Sequence, residues 1–299
     1  MNNFILELEK LNLEKIEKDI SLSTLTTYKT GGIAKLVVYP NNINNLKQML
    51  KLIHKYNIKY FILGKGSNTL FSDKEFNGVI IKLDKLNNFK IKQTEIYVES
   101  GMILSKLVQA SVKNELTGLE FAIGIPGTIG GAIYMNAGAY GNNMSNIVKS
   151  VIVLNEKFQI KEIPLEKLKF DYRYSIFQDN KNLICVAANI KLEHGNHDEI
   201  DSKIKENLLK RKNSQPLEYP SAGSVFRNPE GDFAGRLIEE IGYKGKSIGG
   251  AKVSEKHANF IINSGNATGE DVKRLITEIK DKVKEKYDID LKIEQEFVE

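Results

Sequence analysis

The segment at residues 124–141 constrains this chain more than any other part of its sequence. Six of its eighteen residues are glycine, against about one residue in fourteen in an average protein. A backbone with so few side chains can approach a ligand closely and adopt positive φ angles at little steric cost. Successive free N–H groups in such a loop form concave anion sites, so a phosphate or pyrophosphate is the expected ligand. The alternative is a set of tight turns between buried strands.

The same segment is apolar as well as rich in glycine. The large apolar residues in it and next to it are Ile123, Ile125, Ile129, Ile133, Tyr134 and Met135. Part of the segment must therefore be buried, because apolar surface is driven out of water. An apolar loop that is rich in glycine suits a large, flat cofactor with a charged tail.

A second glycine-containing loop, at residues 64–69, follows a predicted strand at 60–63. It resembles the dinucleotide fingerprint G-x-G-x-x-G, but Thr69 occupies the position of the third glycine and no helix is predicted after it. Lys65 lacks the G-K-S/T context of a P-loop. The sequence therefore predicts a phosphate- or cofactor-binding turn between two strands.

The spacing of apolar residues predicts an α+β fold with many short strands up to about residue 195 and a smaller α+β region after it. The predicted helices occupy residues 4–17, 42–53, 103–113, 198–212 and 232–241, and a last helix follows a capping box at 268–271. The predicted strands occupy residues 34–39, 60–63, 78–83, 96–99, 147–154, 159–163, 183–192 and 289–298. The polar stretch at 193–198 predicts a boundary between domains at 1–195 and 196–299.

The composition argues against several classes of function. The chain has 299 residues, and its 43 basic against 38 acidic residues give a net charge of +5. The densest basic cluster, at 209–213, is too short to predict nucleic-acid binding. The acidic residues near the start do not fit a signal peptide, and no apolar run approaches the roughly 18 residues that span a bilayer. We therefore expect a cytoplasmic protein that binds neither nucleic acid nor membrane.

Cysteine and histidine do not predict a metal site. Cys185 is the only cysteine and lies in the apolar run 183–188, so we expect no internal disulfide and a buried, inert thiol. His194 and His197 have the spacing of a shared metal site, but no third ligand is near them. The expectation is a protein without a bound metal.

Five sequence motifs, in this order along the chain, are together typical of one protein family. They are Tyr28-Lys-Thr-Gly-Gly32, Leu63-Gly-Lys-Gly-Ser-Asn68, Gly124-Ile-Pro-Gly-Thr-Ile-Gly-Gly131 with Asn136-Ala-Gly-Ala-Tyr-Gly141, Tyr172-Arg-Tyr-Ser175, and Ser221-Ala-Gly-Ser-Val-Phe-Arg-Asn-Pro229. Over nearly its whole length the chain resembles the UDP-N-acetylenolpyruvoylglucosamine reductase family, also called UDP-N-acetylmuramate dehydrogenases. The short interval between Arg173 and Ser224 leaves no room for an extra tyrosine loop, so the chain resembles the shorter, second type of the family.

The resemblance implies a flavoenzyme of peptidoglycan and cell-wall synthesis, and so a role in cell shape and division. Noncovalent FAD would be held by residues 1–195, a region of the vanillyl-alcohol-oxidase type with two lobes at about 1–83 and 84–195. The domain at 196–299 would bind the UDP-sugar, and its terminal strand at 289–298 would return to the active site. NADPH would supply the hydride that reduces an enolpyruvyl ether to the lactyl ether of UDP-N-acetylmuramate. A monomer is expected.

Arg173, Ser224 and Glu294 match the catalytic positions of the family. Hydride addition at C3 of the enolpyruvyl group puts negative charge on its carboxylate, and a proton must then reach C2. The resemblance implies that Arg173 and Glu294 stabilise the enolate and that Ser224 donates the proton. The alternatives are an arginine paired with Asp171, a serine that caps a helix, and a glutamate exposed to solvent.

The resemblance also assigns residues to cofactor and substrate. The implied FAD contacts are Thr30, Gly31, Gly64, Gly66, Ser67, Asn68, Gly124, Gly127, Thr128, Gly130 and Gly131. Asn228 is the implied substrate contact. Two other functions stay open: an FAD-dependent alcohol oxidase of the same fold, and a nucleotide-binding regulator without catalysis. Neither glycine loop contains the His or Cys that tethers flavin in many such oxidases, and a regulator should lack at least one of the three catalytic residues.

Overall fold

The computed structural model describes residues 2–299, which form the predicted α+β fold. The helices are α1 (Asn2–Glu9), α2 (Ile43–Lys55), α3 (Leu104–Lys113), α4 (Ile129–Tyr134), α5 (Ile176–Asp179), α6 (His197–Ser214), α7 (Ala234–Glu240) and α8 (Gly269–Tyr287). The strands are β1 (Lys15–Ser21), β2 (Ile33–Tyr39), β3 (Tyr60–Ile62), β4 (Thr69–Phe71), β5 (Phe76–Ile81), β6 (Phe89–Lys92), β7 (Glu95–Glu99), β8 (Leu116–Thr117), β9 (Gly138–Ala139), β10 (Asn142–Asn143), β11 (Val148–Leu154), β12 (Ile160–Pro164), β13 (Ile184–Lys191), β14 (Glu193–His194), β15 (Ser247–Ile248), β16 (Ala251–Val253), β17 (Ile261–Asn263) and β18 (Glu296–Val298).

The chain divides into two compact units. The first contains the chain up to Lys18 together with Leu36–Gly64 and Gly78–Leu209, and the second contains Asp19–Lys35, Lys65–Asn77 and Lys210–Glu299. The second unit is therefore assembled from three separate stretches of sequence. The division into an FAD-binding region at 1–195 and a substrate domain at 196–299 stays a prediction.

A five-stranded antiparallel sheet with the order β12-β11-β13-β7-β6 forms the framework of the first unit. The central strand, β13, is buried along most of its length, as expected for a strand covered on both faces. Helices α3 and α4 contribute Leu107 and Ile133 to the core beside this sheet. Cys185 on β13 is the predicted buried thiol, and burial raises its pKa to about 12.

A second core of the first unit lies around α2. The Asn42 side chain accepts a hydrogen bond from the Asn45 N–H at 2.9 Å, which is the predicted cap of this helix. The buried face of α2 carries Leu46 and Leu50, whose core also contains residues of β2 and β5. Strands β3 and β5 pair in parallel, and the whole four-stranded sheet has the order β1-β2-β5-β3.

The second unit has its own core, built on α7 and α8. Leu237 of α7 and Leu275 of α8 are fully buried in it, together with Tyr28 and Phe226. A small antiparallel sheet with the order β15-β16-β17 and a parallel pair of β18 with β4 complete this unit.

The predicted helix at 4–17 is wrong beyond residue 9. Helix α1 ends at Glu9, and β1 has begun by Lys15. Asn12 lies between them with a φ of +50°, and a right-handed helix cannot continue through a residue in the left-handed region. The burial of the β1 side chains does not alternate, and the leucine and isoleucine positions of this stretch also fit a helical period, so the strand left no clear signal in the sequence.

The predicted terminal strand at 289–298 is only partly correct. Regular pairing is limited to β18, which lies parallel to β4 with Phe297 opposite Leu70. Before it, the chain makes a single bridge between Ile293 and Phe226. The strand is short because the backbone changes its hydrogen-bonding partner at residue 295.

The glycine-rich segment at 124–141 is more regular than a loop. Helix α4 occupies its middle, and β9 leads into a tight hairpin with β10. At the hairpin turn Tyr140 and Gly141 have φ angles of +54° and +81°. Glycine is therefore needed here for the turn. A tight turn is present at this end of the segment, but the strands it joins are half-buried or exposed rather than buried.

Residues 2–299 contain neither a candidate membrane span nor a candidate metal cluster. Among them, no helix combines the length and the apolar character needed to cross a bilayer. Within the same range, no cluster of three or more His, Cys, Asp and Glu side chains is placed to hold a metal ion.

Thr268→Ala is expected to lower the free energy of unfolding by about 1 kcal/mol. The Thr268 Oγ1 accepts the Asp271 N–H at 3.0 Å, and the Asp271 carboxylate accepts the Thr268 N–H at 3.0 Å, which is the predicted capping box. Urea unfolding followed by circular dichroism measures the loss. The matched control is Thr277→Ala in the same helix, whose exposed hydroxyl bonds only the Lys273 carbonyl one turn back. Equal losses in both variants would contradict a special role for the cap.

Candidate active site

The first predicted cofactor loop is held against Ser100 at the end of β7. Thr128 caps α4 by accepting the Gly131 N–H at 3.4 Å. The Gly130 N–H donates to the Ser100 carbonyl at 2.8 Å, and a Cβ at Gly130 would lie only 2.9 Å from the Ser100 Cβ. By contrast, a Cβ built at Gly127 has no described atom within 4 Å apart from its own residue and its two chain neighbours. Gly130 is therefore needed for packing, whereas Gly127 leaves its surface accessible.

Gly64 brings the start of the second predicted loop to the first. A Cβ at Gly64 would lie 3.1 Å from the Thr128 Oγ1. The Gly64 carbonyl accepts a hydrogen bond from the ammonium group of Lys82, which is 5% exposed. Lys82 also lies 3.6 Å from the Asp84 carboxylate. Lys82 was not predicted as a site residue, because its only signal in the sequence is a lysine at the end of the apolar strand β5.

Arg173 is held against the carboxyl end of the glycine-rich segment. Its Nη2 donates to the Gly138 carbonyl at 3.0 Å, and its guanidinium carbon lies 5.2 Å from the centre of the Tyr172 ring. Arg173 has a φ of +56° and is half-buried. Buried Asn136 ties the two segments together, because its amide nitrogen donates to the Asp171 carbonyl at 3.0 Å. Such an arginine presents a fixed cation rather than a flexible surface charge.

Two turns of the second unit contain predicted cofactor contacts. Thr30 and half-buried Gly31 lie just before β2, and buried Gly66 lies before β4. The Thr30 Oγ1 is buried and has no hydrogen-bond partner among the described residues. Gly31 and Gly66 have φ angles of +117° and +63°, and a Cβ at Gly66 would lie 2.5 Å from the Leu25 carbonyl oxygen. Both glycines are therefore required by the backbone itself.

The second unit also brings Asn68, Ser224 and Glu294 together. The Asn68 amide nitrogen donates to the Glu294 carbonyl at 3.0 Å. The Glu294 N–H donates to the Val225 carbonyl at 2.8 Å. Ser67 is close as well, since its carbonyl oxygen lies 3.9 Å from a Cβ built at Gly223. The candidate acid and the candidate carboxylate are thus on adjacent, directly bonded backbone segments.

Asn259 holds the segment that carries Ser224. Its side chain accepts the Phe226 N–H at 2.9 Å and donates to the Phe226 carbonyl at 2.8 Å. Ser224 itself pairs with Phe260 in a single β-bridge. The alternative of a helix-capping serine is wrong, because α7 begins at Ala234 and its N-cap is Phe233. Asn259 gave no signal in the sequence.

Asn228 is exposed, and its side-chain oxygen accepts the Ala234 N–H at 3.1 Å at the start of α7. Its predicted contact with substrate is not tested by this bond. Glu294 is half-buried rather than fully exposed, and Glu296 two residues later is also half-buried. Solvent exposure therefore does not distinguish Glu294 from Glu296.

Each unit has features that fit a bound cofactor. In the first unit the buried Ser100 Oγ has no partner among the described residues, and Gly127 has an accessible face. In the second unit the Thr30 hydroxyl is likewise buried and has no hydrogen-bond partner among the described residues. Buried polar atoms normally have a partner, so a ligand with hydrogen-bonding groups would satisfy them.

Comparison with known proteins identifies the cofactor of this protein as FAD. Residues 34–162 match the sequence profile of an FAD-binding domain. Residues 215–298 match the profile described as UDP-N-acetylenolpyruvoylglucosamine reductase, C-terminal domain. The fold and the site therefore define a flavin-dependent oxidoreductase.

Relatives that match nearly the full length of the chain show which kind of flavin-dependent oxidoreductase it is. Proteins named UDP-N-acetylenolpyruvoylglucosamine reductase from Anoxybacillus flavithermus and Caldanaerobacter subterraneus are 45% and 48% identical, over 98% and 91% of this chain and 97% and 90% of their own. The crystal structure of the reductase from Thermus caldophilus superposes with a TM-score of 0.83 at 32% identity, over 95% of this chain and 99% of that one. The chain belongs to the UDP-N-acetylenolpyruvoylglucosamine reductase family, which confirms the resemblance seen in the sequence.

Proposed function

We propose that Arg173, Ser224 and Glu294 carry out the reduction of an enolpyruvyl UDP-sugar in this protein. The activity itself follows from the family: the protein is an FAD- and NADPH-dependent oxidoreductase that forms UDP-N-acetylmuramate in peptidoglycan synthesis. The oxidase and regulator alternatives are therefore set aside. Support for the residue roles comes above all from the bond between the Glu294 N–H and the Val225 carbonyl, which puts the acid and the carboxylate on neighbouring segments.

The chemistry assigns a separate task to each side chain. Bound FAD, once reduced by NADPH, supplies hydride to C3 of the enolpyruvyl group. The Arg173 guanidinium stays charged and can bind both oxygens of the substrate carboxylate, so it stabilises the enolate that forms. Glu294 in its protonated form donates a hydrogen bond to the enolate oxygen. The Ser224 hydroxyl gives a proton to C2 and must be oriented by its neighbours.

The cofactor is proposed to be bound noncovalently by the two glycine loops and the turn before β2. The proposed contacts are Thr30, Gly31, Gly64, Gly66, Ser67, Asn68, Gly124, Gly127, Thr128, Gly130 and Gly131. Among these, Thr30 is supported by its buried, unpartnered hydroxyl, and Gly127 by its accessible backbone. Asn228 is proposed to contact the substrate, which the shorter type of the family would bind without a tyrosine loop.

The setting of the activity is also a proposal. Residues 1–195 are proposed to form the FAD-binding region and 196–299 the domain for the UDP-sugar. We place the enzyme in the cytoplasm as a monomer with no nucleic-acid or membrane partner, where its product supports cell-wall biogenesis, cell shape and cell division.

Two glycine variants are expected to separate folding from cofactor binding. Gly66→Ala places a Cβ 2.5 Å from the Leu25 carbonyl at a φ of +63°, so the apoprotein should lose about 1–3 kcal/mol of stability. Gly127→Ala meets no described atom, so apoprotein stability should stay within about 0.5 kcal/mol while FAD affinity falls about tenfold, or 1.4 kcal/mol. Urea unfolding of the apoprotein and titration of FAD fluorescence give the two quantities. Unchanged FAD affinity in Gly127→Ala would remove Gly127 from the site.

A visible spectrum of the purified protein tests the function directly. We expect a flavin spectrum that is bleached by NADPH without oxygen and restored by the enolpyruvyl UDP-sugar. A colourless protein, or a bleached flavin that recovers only with oxygen, would contradict the proposal.

A further inference from the structure

A buried pair of polar side chains lies beside Ser224 in the second unit. Tyr28 is fully buried and Gln295 is 5% exposed. The Tyr28 hydroxyl donates to Gln295 Oε1 at 3.2 Å. The Gln295 Nε2 donates to the Ala222 carbonyl at 3.2 Å and lies 3.4 Å from the Gly223 carbonyl oxygen. Tyr28 and Gln295 are both shielded from water, so their polar groups depend on these hydrogen bonds.

The direction of these hydrogen bonds is fixed by chemistry. The two backbone carbonyls can only accept, so they must face the NH₂ group of Gln295, and Oε1 must face Tyr28. Burial raises the pKa of Tyr28, so the phenol keeps its proton and remains a donor. The phenol therefore orients the amide, and the amide holds the turn.

The turn that Gln295 holds leads directly into Ser224. Gly223 has a φ of +74°, so the turn is not part of a helix or a strand. Its carbonyl and that of Ala222 are bonded across to Gln295, whose Nε2 also lies 3.5 Å from the Ser224 carbonyl oxygen. Movement of this turn would displace the Ser224 hydroxyl.

Gln295 lies at the point where the terminal segment changes partners. The Glu294 N–H donates to the Val225 carbonyl, whereas the Glu296 N–H donates to the Asn68 carbonyl at 2.9 Å. Since its neighbours are fixed on both sides by backbone bonds, the Gln295 side chain has a firm base. The side chain can therefore hold the turn at Ala222 and Gly223 in one position.

We infer that Gln295, oriented by Tyr28, is a positioning residue for the reduction, because it fixes the turn that presents the Ser224 hydroxyl. The inference rests on the proton-donor role proposed for Ser224. Gln295 acts through Ser224 and not on the substrate. A shift of about 1 Å in such a hydroxyl is enough to slow proton transfer up to a hundredfold.

The test compares Gln295→Leu, Ser224→Ala and the double variant in the FAD-loaded enzyme. Stopped-flow absorbance measures flavin reduction by NADPH and flavin reoxidation by the enolpyruvyl UDP-sugar separately. Calorimetry measures the affinity of the oxidised enzyme for the UDP-sugar. Gln109→Leu, an exposed glutamine on α3, is the matched control.

Gln295→Leu is expected to slow reoxidation about tenfold to a hundredfold, with little change in flavin reduction or in sugar affinity. The double variant should be no slower than Ser224→Ala alone, since Gln295 has no effect once the hydroxyl is gone. Gln109→Leu should match the wild type. If Gln295→Leu is poorly folded, Tyr28→Phe removes only the hydroxyl, and a slower reoxidation with the same lack of additivity is expected.

The inference would be overturned if the rate losses of the two single variants multiply in the double variant. It would also be overturned if Gln295→Leu slows both half-reactions equally, or if its affinity for the UDP-sugar falls as much as its reoxidation rate. Slow Ser224→Ala with normal Gln295→Leu and Tyr28→Phe would overturn it while leaving the proposed function intact. Normal reoxidation in Ser224→Ala would instead refute the proton-donor role, and the inference with it.

Discussion

Ser224→Ala is expected to slow reoxidation of the reduced enzyme by the enolpyruvyl substrate about 10²- to 10⁴-fold, the range typical of a lost general acid. Reduction of the flavin by NADPH should change far less, because that half-reaction needs no proton at C2 of the sugar. Stopped-flow absorbance resolves the two half-reactions. The structure makes the substitution mild, since Ser224 is half-buried and the bridge to Phe260 uses only its backbone.

Ser221→Ala is the matched control for this prediction. It removes a half-buried hydroxyl three residues earlier in the same segment. Both half-reactions should then stay near the wild-type rates. Equal slowing of both half-reactions in Ser224→Ala would show that the serine supports the fold or the cofactor and is not the proton donor.

Arg173→Lys is expected to slow the same half-reaction about 10²- to 10³-fold, as is typical when one stabilising donor to a developing anion is lost. An ammonium group cannot reproduce the two-point contact of a guanidinium with a carboxylate. It would also lose the present geometry, in which Nη2 bonds the Gly138 carbonyl and the guanidinium stacks beside Tyr172. Lysine bears the positive φ at this position no worse than arginine, so the backbone contributes little to the difference.

Arg274→Lys on the exposed face of α8 is the control for the charge-conserving change. It should leave both half-reactions unchanged. Wild-type reoxidation in Arg173→Lys would remove Arg173 from the mechanism and support a structural arginine. A loss of substrate affinity without a change in the reoxidation rate would limit Arg173 to binding.

Local signals predicted the ends of helices well. Asn42 and Thr268 cap α2 and α8 because the cap lies within four residues and depends on short-range hydrogen bonds. The same approach failed at Asn12, where one left-handed residue ends a segment with a helical pattern. It failed again at residues 289–298, because that strand depends on partners far away in the sequence.

Residues of the candidate site were predicted only where they lie within a recognisable sequence motif. The glycine loops were predicted from the residues themselves, and the roles of Arg173 and Ser224 from motifs that resemble the family. Lys82, Asn259 and Gln295 were not, since each is a buried polar side chain that binds backbone carbonyls from another segment. Sequence does not reveal such bonds, because burial and the position of the accepting carbonyl are set by the tertiary fold.

The assembly of the second unit from three stretches affects how the protein folds during synthesis. Asn68 and Glu294 are 226 positions apart, and β4 has no parallel partner until β18 has left the ribosome. During synthesis β4 therefore stays without this partner while nearly all the rest of the chain is translated. Contacts of such long range form slowly, so chaperones that shield exposed strand edges should raise the yield of correctly folded protein.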